Sequence, residues 1–168
     1  KHFGVTNNLV VKSGGLFIIR MNSPTMTSLT GAEVHVSELN IEVGGVLEIV
    51  GAASLYVNIL NVSGTLKATG GQSRVGGMGS FPGSTAQFGS SHGGVGGSYN
   101  DETAHTTLYG SITYPTDIGS LSHVNRMDWD GGGAVRIVAA EVVQIEPQGI
   151  ISADAKTVGN WGGGSGGS

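Results

Sequence analysis

The segment Leu9-x-Val11-x-x-Gly14-Gly15-x-Phe17-x-Ile19 recurs thirty positions later as Leu39-x-Ile41-x-x-Gly44-Gly45-x-Leu47-x-Ile49. Apolar residues alternate on both sides of each diglycine, so each copy reads as two short strands with one buried face apiece. The Gly-Gly pair allows a sharp corner where a side chain would clash. Such a unit cannot bury its apolar face alone and must stack on a copy of itself, which predicts a repeat architecture.

Two looser copies follow. Leu60-x-Val62-x-Gly64-x-Leu66-x-Ala68 has a shorter corner, and Val143-x-Ile145-x-x-x-Gly149-x-Ile151-x-Ala153 carries Pro147 in its turn. An extra strand is expected before most copies, at Val34-His35-Val36, Leu55-Tyr56-Val57 and Ala134-Val135-Arg136-Ile137-Val138. Three short strands and three corners describe one rung of a parallel β-helix. The 21 residues from Leu39 to Leu60 fit one rung of strands of about five residues joined by short turns.

Helix signals are poor, because glycine and β-branched residues are abundant and no long 3.6-residue stripe appears. The expected fold is therefore all-β: a parallel β-helix or β-solenoid, of either hand, with a long glycine-rich insertion. Its boundaries are read as β-solenoid rungs over residues 1–69, a glycine-rich insertion packed on them over 70–133, and a further rung with the start of a second glycine-rich segment over 134–168. About half of the 31 glycines lie in the insertion, together with Pro82 and Pro115. The aromatics Phe81, Phe88, Tyr99, Tyr109 and Tyr114 favour an ordered insertion over a flexible linker. Trp129 and Trp161 each precede a triple glycine, and the first such run leads into a strand. Both termini read as cut ends of a larger chain.

Charged residues make up only 12% of the sequence and the net charge is −4. The eight Lys and Arg residues are scattered, so no basic stripe is available to neutralise the phosphates of a nucleic acid. No apolar run approaches the roughly 20 residues of a membrane-spanning helix, so no membrane insertion is expected. With no cysteine, neither a disulfide framework nor a thiolate site can be built.

Three further tracts carry a resemblance. Gly89-Ser-Ser-His92-Gly-Gly-Val-Gly-Gly97, Tyr109-Gly-Ser-Ile-Thr-Tyr-Pro115-Thr-Asp-Ile-Gly-Ser120 and Gly131-Gly-Gly-Ala-Val-Arg-Ile-Val138, with the closing GGGSGGS run, are similar to glycine-rich β-solenoid modules of very large secreted or cell-surface proteins. The resemblance spans roughly residues 89–168. It implies an extracellular structural or adhesive role within a long repetitive polypeptide, and it transfers no catalytic residue.

Candidate sites are sparse. Gly89-Ser90-Ser91-His92-Gly93 matches the G-x-S-x-G of serine hydrolases but lacks the strand–turn–helix context that strains the nucleophile into place. Gly162-x-Gly164-x-x-Gly167 matches a dinucleotide fingerprint without its helix or distal acid. Asp128, Asp130, Asp101 and Glu102 are candidate calcium ligands, being oxygen donors in a loop-rich region, although their spacing follows no established calcium loop. The five histidines, His2, His35, His92, His105 and His123, show no metal-ligand spacing, and His35 is expected to face solvent. Trp129, Trp161, Tyr109 and Tyr114 read as covers for the glycine tracts rather than as a sugar platform. Asn61-Val62-Ser63 is a glycosylation sequon whose Asn61 should point outward between two inward residues.

The expected function is structural and not enzymatic: a module of an extracellular filament, surface appendage or adhesin that stacks end to end through its rungs. Its expected partners are copies of itself or neighbouring repeats of the same polypeptide, with glycans as a further candidate, at an extracellular or cell-surface location and without a cofactor. The alternative is a carbohydrate-binding or carbohydrate-cleaving β-helix. That chemistry needs acidic residues converging in a groove, whereas Glu33, Glu38, Glu42 and Glu48 fall at expected solvent-face positions of strands. An ice-binding array is disfavoured because Thr25-x-Thr27 does not recur in register.

Overall fold

A computed structural model describes residues 2–20, 33–70, 111, 113, 117–119, 131–155 and 166–167. The described residues form eight strands and no helix: β1 (His2–Val11), β2 (Leu16–Arg20), β3 (Glu33–Ile41), β4 (Val46–Val50), β5 (Ala52–Val62), β6 (Thr65–Thr69), β7 (Ala134–Ile145) and β8 (Ile150–Ser152). They build two four-stranded sheets, ordered β1-β3-β5-β7 and β2-β4-β6-β8, in which every strand pair is parallel. Each odd strand, its corner and the following even strand make one layer. Successive layers lie side by side in both sheets.

The repeats align as their patterns predict. Leu9, Leu39, Leu60 and Val143 occupy one column, and Val11, Ile41, Val62 and Ile145 the next. In the second sheet the columns are Phe17, Leu47, Leu66 and Ile151, followed by Ile19, Ile49 and Ala68. Inward residues of both sheets belong to a single buried cluster, which includes Leu39, Ile41, Leu47, Ile49, Leu60, Val62 and Leu66. Burying each large aliphatic side chain contributes roughly 1.5–3 kcal/mol, so the middle layers hold most of the hydrophobic stabilisation.

The expected extra strand is not separate. Val34-His35-Val36 and Leu39-x-Ile41 both lie within β3, and Leu55-Tyr56-Val57 and Leu60-x-Val62 both lie within β5. Inward positions shift from even to odd along β3: Val34 and Val36 are buried, then Leu39 and Ile41, with Ser37 and Glu38 between them only half-buried. The same shift occurs in β5 around Asn58 and Ile59. Two consecutive residues facing away from the core mark a bend that keeps both arms of the strand turned inward. The second and third layers therefore each have three inward pairs on two strands.

The two glycines of the diglycine corner have different tasks. Residues 12–15 and 42–45 form four-residue turns, closed by Gly15 N–H donating to Lys12 C=O and Gly45 N–H donating to Glu42 C=O, each at 2.8 Å. Gly14 and Gly44, third in their turns, have φ of 72° and 76°, the left-handed conformation that a type II turn requires there. Gly45 does not have positive φ. A Cβ at Gly45 would instead lie 2.5 Å from the carbonyl oxygen of Val11 in the preceding layer. Close stacking of corners thus excludes a side chain, and Gly64 and Gly149 meet the carbonyls of their own preceding layers in the same way. A hydrogen-bond ladder runs through this column, with Val46, Thr65 and Ile150 N–H donating to the carbonyls of Gly15, Gly45 and Gly64, each at 2.9 Å.

The other side of each layer is where extra chain is admitted. Gly51 alone joins β4 to β5, whereas residues 21–32 join β2 to β3 and residues 70–133 join β6 to β7. Of the glycine-rich 70–133 segment, Ile118 is buried in a small cluster with Ala52 and Ala134. Gly119 N–H donates to Gly132 C=O at 2.8 Å, and Gly70 N–H donates to Gly131 C=O at 2.9 Å. The triple glycine 131–133 leads directly into β7, as expected; Trp129 and Trp161 lie outside the described residues.

Candidate functional site

Parallel, in-register stacking turns each outward position of a strand into a column of like-placed side chains. On the first sheet, Asn40 and Asn61 are register partners. Asn61 Nδ2 donates to Asn40 Oδ1 at 2.6 Å, and Asn40 Nδ2 donates to Glu38 Oε1 at 2.8 Å. Gln144 continues the column in β7 and donates from Nε2 to Glu146 Oε1 at 2.6 Å. The Asn40–Asn61 part of this ladder is partly buried, which raises the cost of leaving either amide unpaired, whereas the Gln144–Glu146 bond is exposed.

Further along the same face, His35 and Tyr56 are register partners whose rings stack with centroids 4.6 Å apart and planes inclined by 14°. Glu33 Oε2 lies 3.3 Å from His35 Nε2. His35 thus faces away from the core as alternation demands, in contact with its neighbours on that face.

On the second sheet Glu48 and Lys67 are register partners and form an ion pair at 3.1 Å. Thr69 Oγ1 donates to Glu48 Oε1 at 3.0 Å. The Glu48 side chain is only 18% exposed, so this carboxylate is a cross-layer tie rather than a freely solvated strand residue. At the corner, Ser13 N–H donates to Glu42 Oε2 at 3.2 Å across layers. Opposite charges and hydroxyls placed one layer apart stabilise the correct register, since a slip of one residue would move each of them to the wrong face.

Asn61, the sequon residue, lies outward between buried Leu60 and Val62, with its amide nitrogen engaged by Asn40. Asp128, Asp130, Asp101 and Glu102, the candidate calcium ligands, lie outside the described residues, as do Ser90, His92, His105, His123, Tyr109 and Tyr114. Among the described residues no three His, Asp or Glu side chains gather to hold a metal ion, and no helix is long and apolar enough to cross a membrane. The carboxylates of Glu33, Glu38, Glu42 and Glu48 are distributed over both sheets and the corner, each held by a neighbour on its own face or layer.

The most distinctive surfaces are the two edges. Among the described residues, β1 and β2 end the sheets on one side, and β7 and β8 on the other. Val143 and Ile145 are 48% and 52% exposed, although they continue columns in which Leu60 and Val62 are fully buried. Leu16 on β2 and Ile150 on β8 are 59% and 54% exposed. The interdependence of these columns could not be read from spacing alone, because Asn40 and Asn61 become neighbours only through the 21-residue offset between β3 and β5, and Glu48 and Lys67 only through the 19-residue offset between β4 and β6. No protein-family model matches the chain, and no curated protein or solved structure matches it.

Proposed function

We propose that this chain is a structural module: its layers are successive coils of a parallel β-solenoid, and the module stacks end to end in an extracellular filament, surface appendage or adhesin. The observation that carries this reading is the set of apolar columns, which run in register from layer to layer and are half-exposed at the edge strand β7. A closed coil is supported by the three inward pairs of the second and third layers and by the single-residue link at Gly51, which returns the chain from one sheet to the other. The mechanism is mechanical. Backbone ladders, the Asn40–Asn61 amide pair and the Glu48–Lys67 tie all act between layers, along the stacking direction, and so resist their separation. Ile118 and Gly119, from the glycine-rich segment, lie against the same stack.

Cryo-electron microscopy of the native material tests this reading. Filaments built of copies stacked along one axis are expected. Discrete particles with no end-to-end contact would overturn the assembly role.

A further inference from the structure

At the bend, the two edge strands β1 and β7 match each other better than either matches the inner strand beside it. From Glu33↔Ser54 to Ile41↔Val62 the inner strands β3 and β5 keep a constant offset of 21. Both outer pairings slip by one residue at the bend. The β1–β3 offset changes from 31 at Val5↔Val36 to 30 at Asn8↔Glu38. The β5–β7 offset changes from 82 at Val57↔Ala139 to 83 at Ile59↔Val142. Each edge strand therefore carries one extra residue, at the same place, relative to the inner strand beside it. Such a bulge disturbs pairing against an unbulged strand, but two strands bulged alike can pair without a slip.

The likeness continues through the corner. Lys12–Gly15 and Glu146–Gly149 are both four-residue turns, closed, like Glu42–Gly45 in the second layer, by a glycine N–H to carbonyl bond at 2.8 Å. One offset, 134, relates Val5 to Ala139, Asn8 to Val142, Val11 to Ile145, Gly15 to Gly149 and Ile18 to Ser152. The third layer, by contrast, has only Ser63 and Gly64 between its strands.

We infer that a second copy of this chain is the occupant of the β7–β8 edge, docking its β1 and β2 there in parallel at the 134-residue frame. The inference rests on the end-to-end reading above and specifies its junction. In this frame Val143 meets Leu9, Ile145 meets Val11 and Ile151 meets Phe17, which continues the three apolar columns into the next copy. The exposed pair Leu16 and Ile150 become neighbours on the outer face. Lys12 and Glu146, which open the two corners, bring opposite charges together, as Glu48 and Lys67 do within the chain.

Cysteine pairing tests the frame, because the chain has no cysteine of its own. Val10 and Gln144 share the frame and are both exposed. Val10→Cys and Gln144→Cys chains are mixed, oxidised and resolved on a non-reducing gel, with sedimentation of the unmodified chain run in parallel. Val10→Cys is also mixed with Val142→Cys and with Glu146→Cys, which lie two residues out of frame. Neighbouring strands place in-frame Cα atoms about 4.8 Å apart, whereas a two-residue displacement adds roughly 6.6 Å along the strand, beyond the reach of a disulfide. A roughly tenfold excess of the Val10–Gln144 heterodimer over the displaced pairs is expected. Assembly with cross-links strongest in a displaced pair overturns the frame and leaves the structural reading standing. A chain that neither sediments nor cross-links overturns both, and the bulged edges then act as shields against pairing.

Discussion

Asn61 and Asn40 face each other on neighbouring parallel strands, and the amide of Asn61 donates to the side-chain oxygen of Asn40 at 2.6 Å. Because Asn40 also donates to Glu38, the two asparagines are not equivalent. Asn61→Ala removes one hydrogen bond and should cost about 1 kcal/mol, whereas Asn40→Ala removes two and should cost about 2 kcal/mol. The double variant should cost less than the two single costs together, since they share a bond. Urea unfolding of the three variants measures this, and strictly additive costs would show that the ladder does not couple the layers.

Gly44 and Gly45 should respond differently to the same substitutions. Gly44→Ala forces a side chain into the left-handed region at a cost of about 1–2 kcal/mol, and Gly44→Asn should recover part of it because Asn tolerates that conformation. At Gly45 both substitutions must push a Cβ away from the Val11 carbonyl, so Asn should offer no relief over Ala. Thermal unfolding of the four variants separates conformational strain at one glycine from close approach at the other.

Much of this architecture was legible in the chain. The alternation around Leu39, Ile41, Leu47 and Ile49 identifies inward residues, and all four are buried. Each diglycine marks a corner. The bend within β3 was not legible as a bend, because two outward residues in a row, Ser37 and Glu38, resemble a gap between strands. Spacing also cannot tell which glycine of a pair needs positive φ and which needs room, since the second requirement comes from Val11 in another layer. Glu48 reads as an exposed strand residue until Lys67 and Thr69 are placed beside it by pairing. Local pattern sets the faces, and long-range register sets the partners.

Position within the stack should decide the cost of truncating a core side chain. Leu39 and Val143 share a column, yet Leu39 is fully buried and Val143 is half-exposed. Leu39→Ala should cost about 2–5 kcal/mol and Leu39→Asp should prevent folding by burying an unpaired charge. Val143→Ala should cost under about 1 kcal/mol in the separate chain, while weakening association between copies. Denaturation midpoints and sedimentation, read together, distinguish the two effects.

The Glu48–Lys67 tie should be modest and sensitive to salt. Lys67 is 37% exposed, so Lys67→Ala should change stability by no more than about 1 kcal/mol. The difference from the unmodified chain should shrink as salt screens the pair. Unfolding at low and high ionic strength measures it.

Fibre diffraction from aligned native material tests the central claim most directly. Layers stacked along the filament, with strands lying across it, should give a reflection near 4.8 Å parallel to the fibre axis and a sheet-packing reflection near 10 Å perpendicular to it. A 4.8 Å reflection perpendicular to the axis would mean that the strands run along the filament, which contradicts end-to-end stacking of these layers.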